Sequence, residues 1–348
     1  MELRDWQKPN LPGRHSEFSG KGSYNSSFTA AWPSEPRKGH SRMFVRSTTL
    51  TVAATLALTA LAFASTMALT DSAQERPLLT DDQLRQRTST LIANQHKDDL
   101  ALEQYERIEH HVDRTSGSDG RILEDKTYRV VPTGPGTLKI LLKDGDKPAD
   151  PAEILQQLKE WRDLLQLALN PNDARIKAAY AKAEKKKHDR AELVDAAGEA
   201  FVKKVIGRET LNGRDCDVIE LDSNPHFQPR STFQEALTHA SVKIWVDHNA
   251  IQVVRGEAHI IRDVSFGGGI LGKLYRGGVF FLEQTEVAPG VWLPARYQYD
   301  YTARKFLFTF EQHQYIEASH YRFLGPPKEA LTIAKSDLAK AESGHGDP

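Results

Sequence analysis

Cysteine is nearly absent: the 348-residue chain holds one, Cys216. A single thiol excludes an internal disulfide and a cysteine-based zinc site. A charge excess is also missing. Forty-six Lys and Arg stand against 47 Asp and Glu, a net charge of −1, whereas a protein that grips nucleic acid carries a basic surplus. No G-x-S-x-G nucleophile elbow occurs. His110 and His111 are adjacent, so in a strand they point to opposite faces and cannot chelate one metal together. His313 and His320 have no spacing that brings them together. Asp215 and Asp217 flank a turn and are expected to face solvent. The expectation is a chain that is not an enzyme, with no cofactor, no metal, no nucleotide and no nucleic acid. Disorder of the whole chain is excluded as well, because 39% of residues are hydrophobic and 27% charged.

One long uncharged run is present. Residues 47–70 read "STTLTVAATLALTALAFASTMALT", with Arg42 and Arg46 before it and the small-residue sites Ala62-Phe63-Ala64 and Thr66-Met67-Ala68 near its end. A basic region, an apolar region and an A-x-A-like end make a secretory signal over 43–68. Signals begin at a start residue, and Met43 is placed for that. Residues 1–42, rich in Ser, Gly, Pro and charge without periodicity, are expected to be a disordered extension and an artefact of the start site. An uncleaved anchor is the alternative, since about 20 residues span a bilayer. Either way the body is expected outside the cytoplasm, in the periplasm. No cysteine stands directly after the run, so no lipobox is expected.

The body reads as one domain over 78–326. Thr80 with Gln83 is a capping box, opening a helix over about 81–95. Strands follow near 104–114, 122–132 and 137–143. Asp150-Pro151 starts an inserted helical segment, 151–200, whose first part carries the apolar stripe Ile154, Leu155, Leu158, Trp161, Leu165 and Leu169. The "KKK" of its second part reads as an exposed, mixed-charge face. From Phe201 onward nearly everything is strand, and Asn212-Gly213 is a strong hairpin turn. Successive strands with tight turns pair with their neighbours. The fold class is therefore α+β: a large curled antiparallel sheet, or half-barrel, with an opening helix and the insertion packed on its concave side. Residues 327–348 are expected to be a helical or disordered tail with little to bury.

"FGGGILGK", Phe266 to Lys273, matches two phosphate-binding patterns. A P-loop needs Ser or Thr after the lysine and a helix behind it, but Leu274 follows here. A dinucleotide fingerprint needs a helix N-terminus at the pyrophosphate, but Gly277-Gly278 and a β-type run follow. The glycines are expected to bend the chain between two strands. Gly267, Gly268, Gly269, Ile270, Leu271 and Gly272 then form either a lid or hinge over a cavity, or a loop folded on the core.

The stretches "TYRVVP" (127–132), "LKDGDKP" (142–148), "GRETLNGRDCDVIELD" (207–222), "KIWVDH" (243–248), "VSFGGG" (264–269) and "VWLPARY" (291–297) carry a resemblance. With the signal, the opening helix and the inserted helix, the chain resembles the periplasmic lipoprotein-carrier superfamily of LolA, LolB and RseB. It looks closest to large acidobacterial envelope proteins of the outer-membrane lipoprotein-sorting type. The resemblance covers most of 100–324 and implies a half-barrel with helices over an apolar cavity. It implies a lipid or lipoprotein acyl chain as partner, with an envelope protein as a further candidate. It brings no functional residue with it.

The residues suggest their own lining. Tyr297, Tyr299 and Tyr301 share one face of a strand, and Phe306, Phe308 and Phe310 are expected to share one face of the next. Trp161 and Trp245 are the other large aromatics of the helix and sheet. These residues line an acyl-chain pocket or form plain core. The function expected is a non-catalytic carrier or chaperone. The alternative is an envelope sensor or scaffold whose core is filled by its own side chains.

Overall fold

The computed structural model describes residues 78–116, 119–266, 269 and 271–343. The expected extension 1–42 and signal 43–68 lie outside the described residues, as do Gly267, Gly268 and Ile270. Helix α1 (Asp81–Leu102) opens on the capping box, the Thr80 side chain accepting from Gln83 N and the Gln83 side chain from Thr80 N. It runs a full two turns past the expected end. Polar tethers replace the missing apolar stripe there: Lys97 Nζ donates to Gly290 O at 2.6 Å, and Asp98 Oδ1 accepts from Trp292 N at 3.1 Å.

Strands β1 (Tyr105–Arg114), β2 (Ile122–Pro132), β3 (Thr137–Asp144) and the short β4 (Lys147–Pro148) form a meander. Helices α2 (Pro151–Ala168) and α3 (Ala174–Ala200) follow. Strands β5 (Phe201–Leu211) and β6 (Arg214–Ser223) pair across Asn212-Gly213, where φ is +53° and +76°. Such left-handed values suit Asn and Gly and match the twist of a two-residue hairpin. The one-turn helix α4 (Thr232–Leu237) leads to β7 (Ala240–Asp247), β8 (Val253–Ile260), β9 (Val264–Phe266), β10 (Gly272–Leu274), β11 (Val279–Ala288), β12 (Val291–Lys305) and β13 (Phe308–Phe323). Helix α5 (Pro327–Glu342) closes the described chain.

Among the described residues, 13 strands make one open antiparallel sheet in the order β4-β3-β2-β1-β13-β12-β11-β8-β7-β6-β5, with β9 and β10 attached beside β12. A sheet of this size must twist and curl. The result is the α+β half-barrel expected from the strand-and-turn pattern.

Side chains alternate between two faces. Arg107, Glu109 and His111 of β1 share one face, opposite Val130, Tyr128 and Lys126 of β2. Helix α1 lies on this face, where Leu84 packs with Ile219 and Val246. Helix α3 runs alongside α1 so closely that a Cβ on Gly198 would stand 2.7 Å from Ile92 Cδ1. The other face, through Val131, Leu138 and Ile140, is covered by Ile154, Leu158, Trp161 and Leu165 of α2. Each of those buried side chains contributes roughly 1.5–3 kcal/mol. The insertion thus divides between the two faces. The tail expected to bury little belongs to this core: α5 buries Ala330, Ala334 and Leu338 beside α2. Its stripe is mostly alanine, which a reading by large apolar residues passes over.

Candidate functional site

A cavity of about 560 Å³ lies between α1, α3, the start of β1 and the β2–β3 turn. Its walls are Leu100 and Leu102 of α1, Ala183 and Ala191 of α3, Gly134 to Thr137 of the turn, and charged side chains of both helices, among them Asp99, Glu103, Lys187 and Arg190. Gly134 has φ +98°, which favours glycine, and a Cβ there would meet Tyr180 Oη at 2.6 Å. The turn can therefore come this close to α3 only without a side chain.

Ion pairs between α1 and α3 form part of the cavity lining. Arg190 of α3 forks onto Asp99 of α1, with Nη2 to Oδ1 at 2.6 Å. Lys187 Nζ lies 2.8 Å from Glu103 and 2.9 Å from Glu184. His96 Nε2 and Asp195 Oδ1 stand 2.7 Å apart. Partly exposed pairs of this kind are each worth about 0–1 kcal/mol and weaken with salt. The α1–α3 seam is a weak closure by that measure.

The cavity reaches Arg107, which is 2% exposed. Its Nε donates to Glu109 Oε1 at 2.7 Å. Glu109 Oε2 stands 2.7 Å from His111 Nε2 and 3.7 Å from Lys139 Nζ. Burial by itself would raise the Glu109 carboxyl, but Arg107, the His111 hydrogen bond and Lys139 outweigh it and hold it down at about 2. Burial pushes the Lys139 ammonium below its ordinary range, against the pull of Glu109. Arg107 Nη1 is buried with no hydrogen-bond partner.

From Arg107 the same face continues into aromatic side chains. Tyr297 is buried beside Arg107 and Tyr321, and burial raises its hydroxyl well above the usual range. Burial pushes Tyr299 up to about 12, so both phenols stay neutral. Phe280 stacks on Tyr301 at 5.5 Å, and Tyr301 meets Phe310 edge-on at 6.4 Å. Phe280, which sequence reasoning missed, sits directly opposite Tyr299 across the β11–β12 register. Its place in an alternating run paired with the Tyr strand was the available signal.

The structure brings together part of the expected lining. Tyr297, Tyr299, Tyr301 and Phe310 share the face occupied by α1. Trp161 is fully buried under α2 on the other face, its Nε1 donating to Pro132 O at 2.9 Å with the Arg129 guanidinium 5.1 Å over its ring. Trp245 also lies on that other face, packed with Cys216, Val218, Val254 and Trp292. Phe306 is a correction: it precedes β13 and sits in a two-residue turn with φ +53°, because Lys305 pairs directly with Phe308. Phe308 is in the strand but is 77% exposed, since this hairpin projects beyond the core. Leu307 between them is 91% exposed.

The described part of the glycine segment forms a hairpin, not a phosphate cradle. Gly272 is the first residue of β10, paired antiparallel with Phe266 and Lys305. Lys273 Nζ is held by Asp263 at 2.7 Å. Gly269 takes φ +84° in the turn and its carbonyl accepts from Arg304 Nη2, while Leu271 is exposed. Gly269, Leu271 and Gly272 do not border the 560 Å³ cavity.

Asp217 is a second correction. It is fully buried rather than solvent-facing, because three groups compensate its charge. Arg208 Nε donates to it at 2.9 Å, His248 Nδ1 lies 2.8 Å away, and Arg87 of α1 approaches at 3.6 Å. Arg87 also donates to His248 O, so this cluster ties α1 to the sheet. Among the described residues, no group of three or more His, Cys, Asp or Glu is placed to hold a metal ion. Among them, too, no helix is long and apolar enough to cross a membrane.

No family model matches the chain, and no curated protein does. Solved structures do resemble it at low identity. An outer membrane lipoprotein-sorting protein domain from Vibrio parahaemolyticus is 10% identical over 71% of this chain and 99% of its own, with a TM-score of 0.28. A DUF1329 family protein from Desulfovibrio piger is 14% identical over 68% of this chain and 92% of its own, with a TM-score of 0.29. A LolA superfamily protein from Nitrosomonas europaea is 12% identical over 70% of this chain and 96% of its own, with a TM-score of 0.26. Likeness this distant assigns no activity, so function has to be sought in the cavity and its walls.

Proposed function

We propose that the protein is a non-catalytic carrier or chaperone that shelters an acyl chain, of a lipid or a lipoprotein, beneath α1 and α3. The observation that carries this reading is the 560 Å³ cavity, lined by leucine, alanine and glycine together with charged side chains of α1 and α3, at the start of a face lined by neutral aromatics. Its volume is within the range of about 300–1,000 Å³ typical of small-molecule sites. Burying methylenes gains about 0.8 kcal/mol each, so an acyl chain of ordinary length gains on the order of 10 kcal/mol gross with no covalent step. A carrier must also release its cargo. The seam of exposed ion pairs between α1 and α3 gives a closure that opens at low cost. The uncharged run at 47–70 supports a location outside the cytoplasm.

Titration with a dansyl-labelled fatty acid tests the reading. Wild-type protein is expected to bind one probe per chain with a rise in fluorescence. Ala191→Trp, which fills the cavity from α3, is expected to weaken that binding at least tenfold while the thermal melt stays cooperative. Absence of probe binding, or equal binding by the filled variant, overturns the proposal.

A further inference from the structure

Arg107 is a buried polar residue of the cavity that the carrier reading does not use. It is a buried arginine at the wall of a space whose other charged lining groups lie on α1 and α3, and its Nη1 lacks a hydrogen-bond partner. An unsatisfied buried donor on a guanidinium costs free energy that a bound acceptor would recover. Glu109 pairs with Arg107 through Nε, and Lys139 stands 3.7 Å from that same carboxylate. Asp113, the next acidic residue of this face, has its carboxyl raised by burial and is engaged by Gln314. Tyr297 and Tyr321 beside Arg107 are neutral phenols.

We infer that the cavity selects acyl chains bearing an anionic head, a carboxylate or a phosphate, and that Arg107 receives that head. This rests on the carrier reading and narrows it: neutral lipids and esterified chains are poorer ligands than the corresponding acids. Arginine suits the role because its planar fork offers several donors, one set committed to Glu109 through Nε and another left over at Nη1. The volume accommodates a single chain with its head, not a bundle of chains.

The experiment displaces the dansyl-labelled probe from wild-type protein with palmitic acid, with its methyl ester and with a lysophosphatidic acid. The acid or the lysophosphatidic acid is expected to compete at a roughly tenfold lower concentration than the ester, the scale of one charge-assisted hydrogen bond. The stronger of the two identifies the head as carboxylate or phosphate. In Arg107→Met/Glu109→Gln, which removes both members of the buried pair, the acid-to-ester ratio is expected to fall near one. Equal competition by acid and ester in the wild type overturns this inference while leaving the acyl-chain reading intact. A ratio preserved in the double variant also overturns it. Failure of every ligand to bind, the probe included, overturns both. The wild-type comparison decides the matter even where the variant does not fold.

Discussion

Replacing Glu109 with glutamine leaves the Arg107 guanidinium buried beside a neutral amide. Removing one partner of a buried ion pair costs about 3–5 kcal/mol, because the surviving charge has no compensation. The carboxyl itself leads to a similar figure. It sits near 2 in the folded chain against an ordinary 4.5, and each unit corresponds to about 1.4 kcal/mol, which gives on the order of 3 kcal/mol. A lowered folded-state value means that this stability is fully present above about 4.5 and is lost as pH falls through that value towards 2. Urea unfolding at pH 7, followed by tryptophan fluorescence, is therefore expected to show Glu109→Gln destabilised by about 3 kcal/mol and Arg107→Met by a similar amount. The double variant is expected to lose far less than the sum of the two, since neither charge remains. Strict additivity, or a loss below about 1 kcal/mol for Glu109→Gln, would refute the account of this cluster as a coupled buried pair.

Leu165 is fully buried between α2 and the sheet, and Leu165→Ala is expected to cost about 2–5 kcal/mol in urea titration. The Cys216 thiol is buried, and burial pushes it up to about 11. The native chain is expected to resist a thiol reagent at pH 8 and to react once per chain in denaturant; rapid native labelling would show the β6 core open. Leu307 touches little, so Leu307→Ser is expected to change stability by no more than about 0.5 kcal/mol in a thermal melt. A larger loss would place that hairpin tip against the body of the protein.

Most of the fold was legible because its punctuation is local. Thr80 with Gln83, Asp150-Pro151 and Asn212-Gly213 each specify one backbone event, and each sits where it was read. Strand alternation likewise put Tyr297, Tyr299 and Tyr301 on one face. What could not be read depends on distant partners. Asp217 looked like an exposed turn residue until Arg87, Arg208 and His248, from three other elements, converge on it. Arg107 and Glu109 are two ordinary charges in a strand until the cavity and the adjacent strand β13 bury them. The face assignments of Trp161 and Trp245 followed the same limit: alternation tells which residues share a face, not which helix covers it. Phe306 failed for a different reason, since a turn of Phe and Leu carries none of the Gly, Asn or Pro that announces a hairpin.

Two neighbouring strands inside the sheet, β1 and β13, come from opposite ends of the domain. The Arg322–Glu106 contact that joins them spans 216 residues of chain. A polypeptide emerging N-terminus first into the compartment where it folds presents β1 long before β13 arrives, leaving one edge of that strand unmated until the last part of the domain emerges. Pairings this remote make for slow maturation, with an interval in which strand edges invite aggregation. The protein is therefore expected to depend on holdase chaperones during its biogenesis, and C-terminal truncations that remove β13 are expected to fail to assemble rather than to yield a smaller working unit.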